Sequence, residues 1–503
     1  MTEESKVPDT TIPHVPEEMP VSSYSLLQKV ALFLGPLLGL LVLFLPAPAG
    51  LSVSAWRLVG LALWMALWWL TEAVPIPATA LLPLCWMPLT GIASQKIVAK
   101  AYGHHLIFLF LGGFLLAFAM ETWGLHRRIA LNIVRFVGTS PNRLLGGFML
   151  ASGLMSMWIT NTATTIMMFA VAVSLLEYLK SHQDATPELH NFGVVLMLGI
   201  AYSASIGGLG TLVGTVPNAL FASFVEEHYK MKITFDTWMK VGVPIVIVML
   251  PLTWWWLSRV FPTKNLSLSG VDEVLDQELE SMGPMSREEK VVLAVFLLTA
   301  FCWMLRPWIK KWTGIPLTDT NIAIGGALLL FAFPRSLKEG RFVLDWQVSR
   351  KMPWGILLLF GGGLALASGF KQTGLARAIG QSVSGLSGVS IWWVVLLVTV
   401  MVVFLTELTS NTATTATFLP VMAAVAIGMK QPPLLLLIPV CISASMAFMM
   451  PVATPPNAIV FAYEDLKLKD MVKAGFGLNV IAITVVFVVV YLLVPALFGL
   501  QLR

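Results

Sequence analysis

Two segments of the chain read Asn-Thr-Ala-Thr-Thr, at Asn161–Thr165 and Asn411–Thr415. Each lies inside a long apolar stretch, about 144–176 and 386–428, where four amide and hydroxyl side chains around one alanine are tolerated only inside protein or facing water. Each is followed by a second interruption. Gly207, Gly208, Gly210 and Gly214 precede Pro217 and Asn218, and Pro451, Pro455 and Pro456 precede Asn457. Glycine removes side-chain constraint and proline removes a backbone donor, so both unwind a helix. Unwinding frees carbonyl oxygens and exposes half-helix N-termini with their positive dipole ends. Carbonyl, Ser, Thr and Asn oxygens suit hard cations such as sodium, while helix N-termini, Asn amides and Thr hydroxyls suit carboxylates. No Lys or Arg falls within these four interruptions. An anion held there therefore draws its counter-charge from co-bound cations, which points to cation coupling.

A lone Asn-Thr pair in a membrane helix more often glues helices together than binds a ligand. Repetition argues for function. Leu111–Ala117 matches Gly361–Ala367, Thr122–Leu125 matches Gln372–Leu375, and the two Asn-Thr-Ala-Thr-Thr segments match, all at an offset of 250. Ser203–Ser205 then matches Ser443–Ser445 at 240, and Thr215–Ala219 matches Thr454–Ala458 at 239. Matches in one order throughout the chain mark a duplication.

The elements that position these segments must cross a membrane. Of 503 residues, 57% are hydrophobic and 12% charged, about half the charged fraction of a soluble chain. Apolar runs fall near 30–48, 56–72, 76–92, 105–123, 192–225, 240–260, 290–306, 320–334, 354–370, 434–463 and 474–498. The expected fold is all-α and integral to the membrane, with about eleven transmembrane helices plus two re-entrant helical hairpins. An odd number of spans between equivalent points inverts the second copy, and inverted repeats with paired broken helices mark a secondary transporter. The expected organisation is a cytoplasmic disordered tail over 1–27 and a first transmembrane helix over 28–50. A first repeat follows over 51–262 (hairpin 144–176, broken helix 192–225), then a polar loop over 263–289. The second repeat covers 290–503 (hairpin 386–428, broken helix 434–463). Basic clusters at His126–Arg143 and Arg335–Arg341 place the N-terminus in the cytoplasm and the C-terminus outside, with lipid as the surrounding partner.

Other chemistry is sparse. Cys85, Cys302 and Cys441 sit singly in apolar sequence and offer no metal spacing. No basic run suits nucleic acid, and no nucleophile–base pair or His-Glu-x-x-His motif suggests an enzyme. Among the acids in or near apolar runs, Glu72, Glu121 and Glu407, the last is three residues before Ser410 and reads either as a brace hydrogen-bonded to the hairpin backbone or as a proton carrier.

With Ser410-Asn411-Thr412 intact and Thr160-Asn161-Thr162 keeping the hydroxyl, the chain resembles the divalent anion/sodium symporter family, the sodium-coupled di- and tricarboxylate carriers. Thr71–Pro75 and Pro451–Asn457 are similar to family sequence as well, over roughly 30–500. The resemblance implies a homodimer whose protomers each have a scaffold part and a transport part that moves as an elevator. It implies a first sodium site at Ser156, Thr160, Asn161 and Gly214, and a second at Thr406, Thr409, Asn411 and Ala453. It places substrate carboxylates against Asn161, Thr162, Thr215, Asn411, Thr412, Thr454 and Pro455. Sodium ions are the only cofactor-like species implied, in a bacterial inner membrane. The expected activity is sodium-coupled symport of succinate, malate or fumarate. The alternatives are a sodium-independent exchanger of citrate or tartrate against succinate and, from another class, a channel-like protein for sulfate or other anions.

Overall fold

The structure is a computed structural model and describes residues 24–500 except 185, 264, 265, 267, 269 and 384–387. The expected tail therefore lies mostly outside the described residues. The first half runs α1 (Leu26–Phe44), α2 (Val53–Thr71), α3 (Ile76–Thr79), α4 (Leu82–Leu89), α5 (Gln95–Tyr102), α6 (His105–Thr122), α7 (Leu125–Val137), α8 (Pro141–Ser156), α9 (Asn161–His182), α10 (Pro187–Gly208), α11 (Val216–Tyr229) and α12 (Phe235–Val260). After α13 (Val271–Ser281) come α14 (Arg287–Thr313) and α15 (Asp319–Ala332), then a short hairpin of β1 (Pro334–Ser336) and β2 (Arg341–Phe342). The chain closes with α16 (Trp354–Gln372), α17 (Leu375–Val383), α18 (Ile391–Thr406), α19 (Asn411–Gly428), α20 (Leu434–Ser443), α21 (Pro455–Val460) and α22 (Leu468–Phe498).

Among the described residues, ten helices are long and apolar enough to cross a membrane, α5 and α6 counting as one. Two expected spans differ. The 76–92 run is two short helices, since Pro75, Pro77, Pro83 and Pro88 punctuate it. The 320–334 run gives only the 14-residue α15. The 434–463 run, expected as a broken helix, is a ten-residue helix, an unwound stretch and the short α21. Local signals set the ends. Ser25 with Gln28 and Ser286 with Glu289 form capping boxes that open α1 and α14. Gly314, at φ 71°, closes α14 in the left-handed conformation.

The duplication is visible in the backbone. Gly124 and Gly374, one offset apart, both take positive φ, 69° and 77°, to turn α6 into α7 and α16 into α17. The halves also interlock. α6 packs on α15, whereas α16 packs on α3, α4 and α5. Gly112 makes the first contact possible, because a Cβ there would stand 2.7 Å from the Ala323 backbone. Gly362 makes the second, with a Cβ 2.5 Å from Ala80 O. Likewise α21 packs on α9 and α10, and α11 packs on α19 and α20. Each half's second broken-helix piece thus rests on the hairpin arm of the other half, which brings both interruptions of both halves to one place.

The acidic stretch between the halves, expected as a loop, contains the helix α13. α13 lies on α7, with Arg127 paired to Glu278, Arg135 to Asp276 at 3.0 Å and Thr139 donating to Asp272 at 3.1 Å. Arg128 reaches Glu289 at 2.9 Å. Farther along, Lys180 at the end of α9 pairs with Asp465 at 2.6 Å, and that hydrogen bond holds the Asp465 carboxyl below its usual range.

Candidate functional site

Four residues, 157–160, link α8 to α9, and four, 407–410, link α18 to α19. Each Asn-Thr-Ala-Thr-Thr segment is therefore the first turn of a helix, with Asn161 and Asn411 as its first residues. N–H groups in that turn have no intrahelical partner and carry the positive end of the helix dipole. Thr165 and Thr415 each donate back to the carbonyl of that asparagine at 2.8 Å. The residue before the asparagine distinguishes the tips. Thr160 accepts from Ala163 N at 3.2 Å and caps its helix, whereas Ser410 makes no side-chain cap.

The unwound segments are built alike. Asn218 Nδ2 donates to Gly208 O at 3.0 Å and Thr211 O at 2.7 Å. At an offset of 239, Asn457 Nδ2 donates to Ala447 O at 3.2 Å and Met450 O at 3.0 Å. Each amide satisfies two carbonyls that unwinding releases and holds the loop in one shape. The tips dock beside these loops on carbonyls one offset of 240 apart, Ala204 and Ala444, through different side chains. Ser156 Oγ lies 2.5 Å from the Asn161 side chain, whose amide nitrogen, turned inward, donates to Ala204 O and Gly214 O at 3.3 Å. Thr406 Oγ1 bonds Asn411 Oδ1 at 2.6 Å and Ala444 O at 2.8 Å.

One cavity of about 640 Å³ joins all four interruptions. Its lining includes every residue named above for the substrate: Asn161, Thr162, Thr215, Asn411, Thr412, Thr454 and Pro455. Thr160, Gly214, Ser410 and Ala453 line it too. Ser156 and Thr406 are fully buried behind it, with their hydroxyls on the two asparagines. Thr409 is apart, since its hydroxyl donates to Leu405 O at 2.9 Å and meets Thr414 Oγ1 at 2.8 Å within the hairpin. The buried hydroxyls of Ser203, Ser205, Ser443 and Ser445, at or just beyond the ends of α10 and α20 that lead into the unwound segments, have no hydrogen-bond partner among the described residues. These pairs recur at an offset of 240, and such a donor set fits a hard cation.

Sequence reasoning missed part of the lining. Phe110, Phe114 and Phe118, four residues apart, present one face of α6 to the cavity. That spacing signals a buried face but does not say what the face meets. Glu72, in left-handed conformation at φ 51°, and Lys351 are the charged lining residues, and neither belongs to a tip or a break.

Glu407 is a brace, though for the unwound loop rather than for its own hairpin. Its carboxylate is 3% exposed and accepts from the backbone N–H groups of Phe448, Met449 and Met450 at 2.7–3.1 Å, and from Asn479 Nδ2 at 2.7 Å. At the offset of 250, Met157 stands in the first half. Among the described residues, only the second half therefore has a carboxyl side chain accepting from the backbone of its unwound segment.

The family model described as the sodium:sulfate symporter transmembrane region matches residues 27–500. A sodium-dependent dicarboxylate transporter, SdcS, of Staphylococcus saprophyticus is 43% identical over 486 residues, covering 95% of this chain and 94% of that protein. A protein of the same description from Staphylococcus aureus is 41% identical over 483 residues, covering 95% and 93%. Among solved structures, the YdaH transporter of Alcanivorax borkumensis shares the fold, with a TM-score of 0.54 at 13% identity, over 89% of this chain and 98% of that one.

Proposed function

The chain belongs to the sodium:sulfate symporter family, and from that premise we propose that it is a sodium-coupled symporter of C4-dicarboxylates such as succinate, malate and fumarate. The observation that carries this reading is the single cavity in which both asparagine tips and both unwound segments meet. The relatives' description as sodium-dependent dicarboxylate transporters supports it. Substrate carboxylates sit against the first turns of α9, α11 and α19, held by Asn161, Thr162, Thr215, Asn411, Thr412, Thr454 and Pro455. Sodium is co-transported cargo. One ion is bound by Asn161, Gly214 and the Ser156 and Thr160 oxygens, the other by Asn411, Ala453, Thr406 and the Thr409 backbone. The positive charge of the ions offsets the substrate's two carboxylates.

The halves are read as inverted repeats with re-entrant hairpins, in a homodimer whose transport parts move as elevators. Loop charge puts the N-terminus inside a bacterial cell membrane and the C-terminus outside. In that orientation Glu72 and Lys351 lie toward the cytoplasm, so the cavity is open inward. Symport is preferred over exchange because Lys351 precedes α16 and does not replace a cation at either tip or break. The test is uptake of labelled succinate into proteoliposomes under an inward sodium gradient. Uptake into empty vesicles, driven by sodium alone, is the expected result. Uptake that appears only when succinate or citrate is preloaded, whatever the sodium gradient, would replace symport with exchange.

A further inference from the structure

A second cavity, of about 700 Å³, shares no lining residue with the first. Its wall carries His104 and His105 at the start of α6 and Glu226 in the last turn of α11. The two imidazoles are stacked, with ring centres 4.6 Å apart. His105 Nε2 stands 3.0 Å from Glu226 Oε2, and one ligand-type atom from each of the three residues lies within 4.8 Å of the others.

We propose that His104, His105 and Glu226 form a binding site for a divalent transition-metal ion, zinc being the reference case, and that the ion clamps α6 to α11. Neutral imidazole nitrogens with one carboxylate are the donor set of three-ligand zinc sites that leave a fourth position to water. At zinc–ligand distances near 2.1 Å, tetrahedral ligands stand about 3.4 Å apart. His105 and Glu226 are already at that spacing, and the third side chain must close by little more than about 1 Å. His104 can do so, because the hydrogen bond holding its ring, from Leu106 N to Nδ1, is a long 3.4 Å. The His105 side chain is half exposed, which gives an ion access from water. Lys100, Lys230 and Lys232 line the same cavity and oppose a cation, so the expected affinity is micromolar rather than tighter.

The site's consequence comes from where its ligands sit. α11 continues directly from the unwound segment Gly210–Thr215 that lines the substrate cavity, whereas α6 packs on α15. This part of the inference rests on the elevator reading, in which α11 travels with the substrate and α6 stays with the scaffold. An ion joined to both would hold the carrier in the present arrangement and inhibit transport reversibly.

The test uses the full-length protein and zinc chloride alone. Zinc binding to purified protein is measured by competition with a chromophoric zinc indicator, and succinate uptake into proteoliposomes is measured with zinc on both membrane faces, then after a chelator is added. The expected result is one zinc per chain and inhibition that the chelator relieves. Binding and inhibition should both weaken at least about tenfold in His105→Ala and in Glu226→Gln, variants that keep zinc-free uptake. Absent binding, or binding unchanged in both variants, would overturn the metal site without touching the transport reading. Binding that is lost in the variants but leaves uptake unchanged at saturation would keep the metal site. It would overturn the clamp, and with it the assignment of α6 and α11 to parts that move relative to each other.

Discussion

Thr160 and Ser410 occupy the same place in the two tips, yet only the threonine spends its hydroxyl on capping its helix. Ser410 therefore has a hydroxyl to offer the cavity it lines. Ser410→Ala should raise the KM for succinate several-fold with little change in thermal stability. Thr160→Val should instead lose a helix cap, about 1 kcal/mol, and lower the melting temperature more than it raises KM. Uptake kinetics beside a melting curve for each variant separates the two. Glu407 supplies a second residue-scale test. Glutamine there keeps the shape but replaces a charge-assisted acceptor of several N–H groups, a loss of about 2 kcal/mol in the order of the loop Ala447–Met450. Ala453 follows in the same unwound segment, so Glu407→Gln should raise the sodium concentration for half-maximal uptake, with the succinate KM at saturating sodium nearly unchanged. An unaltered sodium dependence would reduce Glu407 to packing. The sequence disclosed Glu407 as a brace because an acid beside a polar tip is costly in lipid. It did not disclose the acceptor's partners, which arrive from 41 to 43 residues downstream for the backbone donors and 72 for Asn479.

At the scale of elements, the repeat was legible because unwinding needs particular residues. Glycines and prolines mark both breaks, and asparagines mark both tips, the places where α9, α11, α19 and α21 begin. The shorter pieces were not legible. Hydropathy reads 76–92 as one apolar span, since it registers proline only weakly, and the amphipathic, acidic α13 reads as loop until its arginine partners on α7 are known. Close helix contact is the other feature that spacing hides. A Cβ on Gly207 would stand 2.1 Å from Gly153 O and 2.6 Å from Gly153 Cα, both backbone atoms that no rotamer change can move aside. Gly207→Ala should therefore push α10 off α8 at a cost of about 2 kcal/mol or more. The expected readout is a lower melting temperature and a smaller monodisperse fraction in detergent. Gly325→Ala, where a Cβ meets nothing within 4 Å, should leave both unchanged.

For the whole molecule, the arrangement that matters is reciprocal. α21 leans on the first half's hairpin arm and α11 on the second half's, so the two sets of polar groups face one volume rather than two. Duplication announced equivalent parts, but their convergence depends on inter-half packing that no local pattern encodes. The same holds for Phe110, Phe114, Phe118, Glu72 and Lys351, which reach the cavity only because other elements bring it to them. Convergence makes a strong claim, namely that each tip is needed for one shared binding event. The most direct measurement is calorimetric titration of succinate into the purified protein, with and without sodium, for the natural chain, Asn161→Ala and Asn411→Ala. Binding should require sodium in the natural chain and should fall at least about a hundredfold in either variant, the scale of losing a paired charged hydrogen-bond acceptor or donor in a closed site. Sodium-dependent binding of natural affinity in either single variant would contradict the account, because the two tips would then serve separate sites.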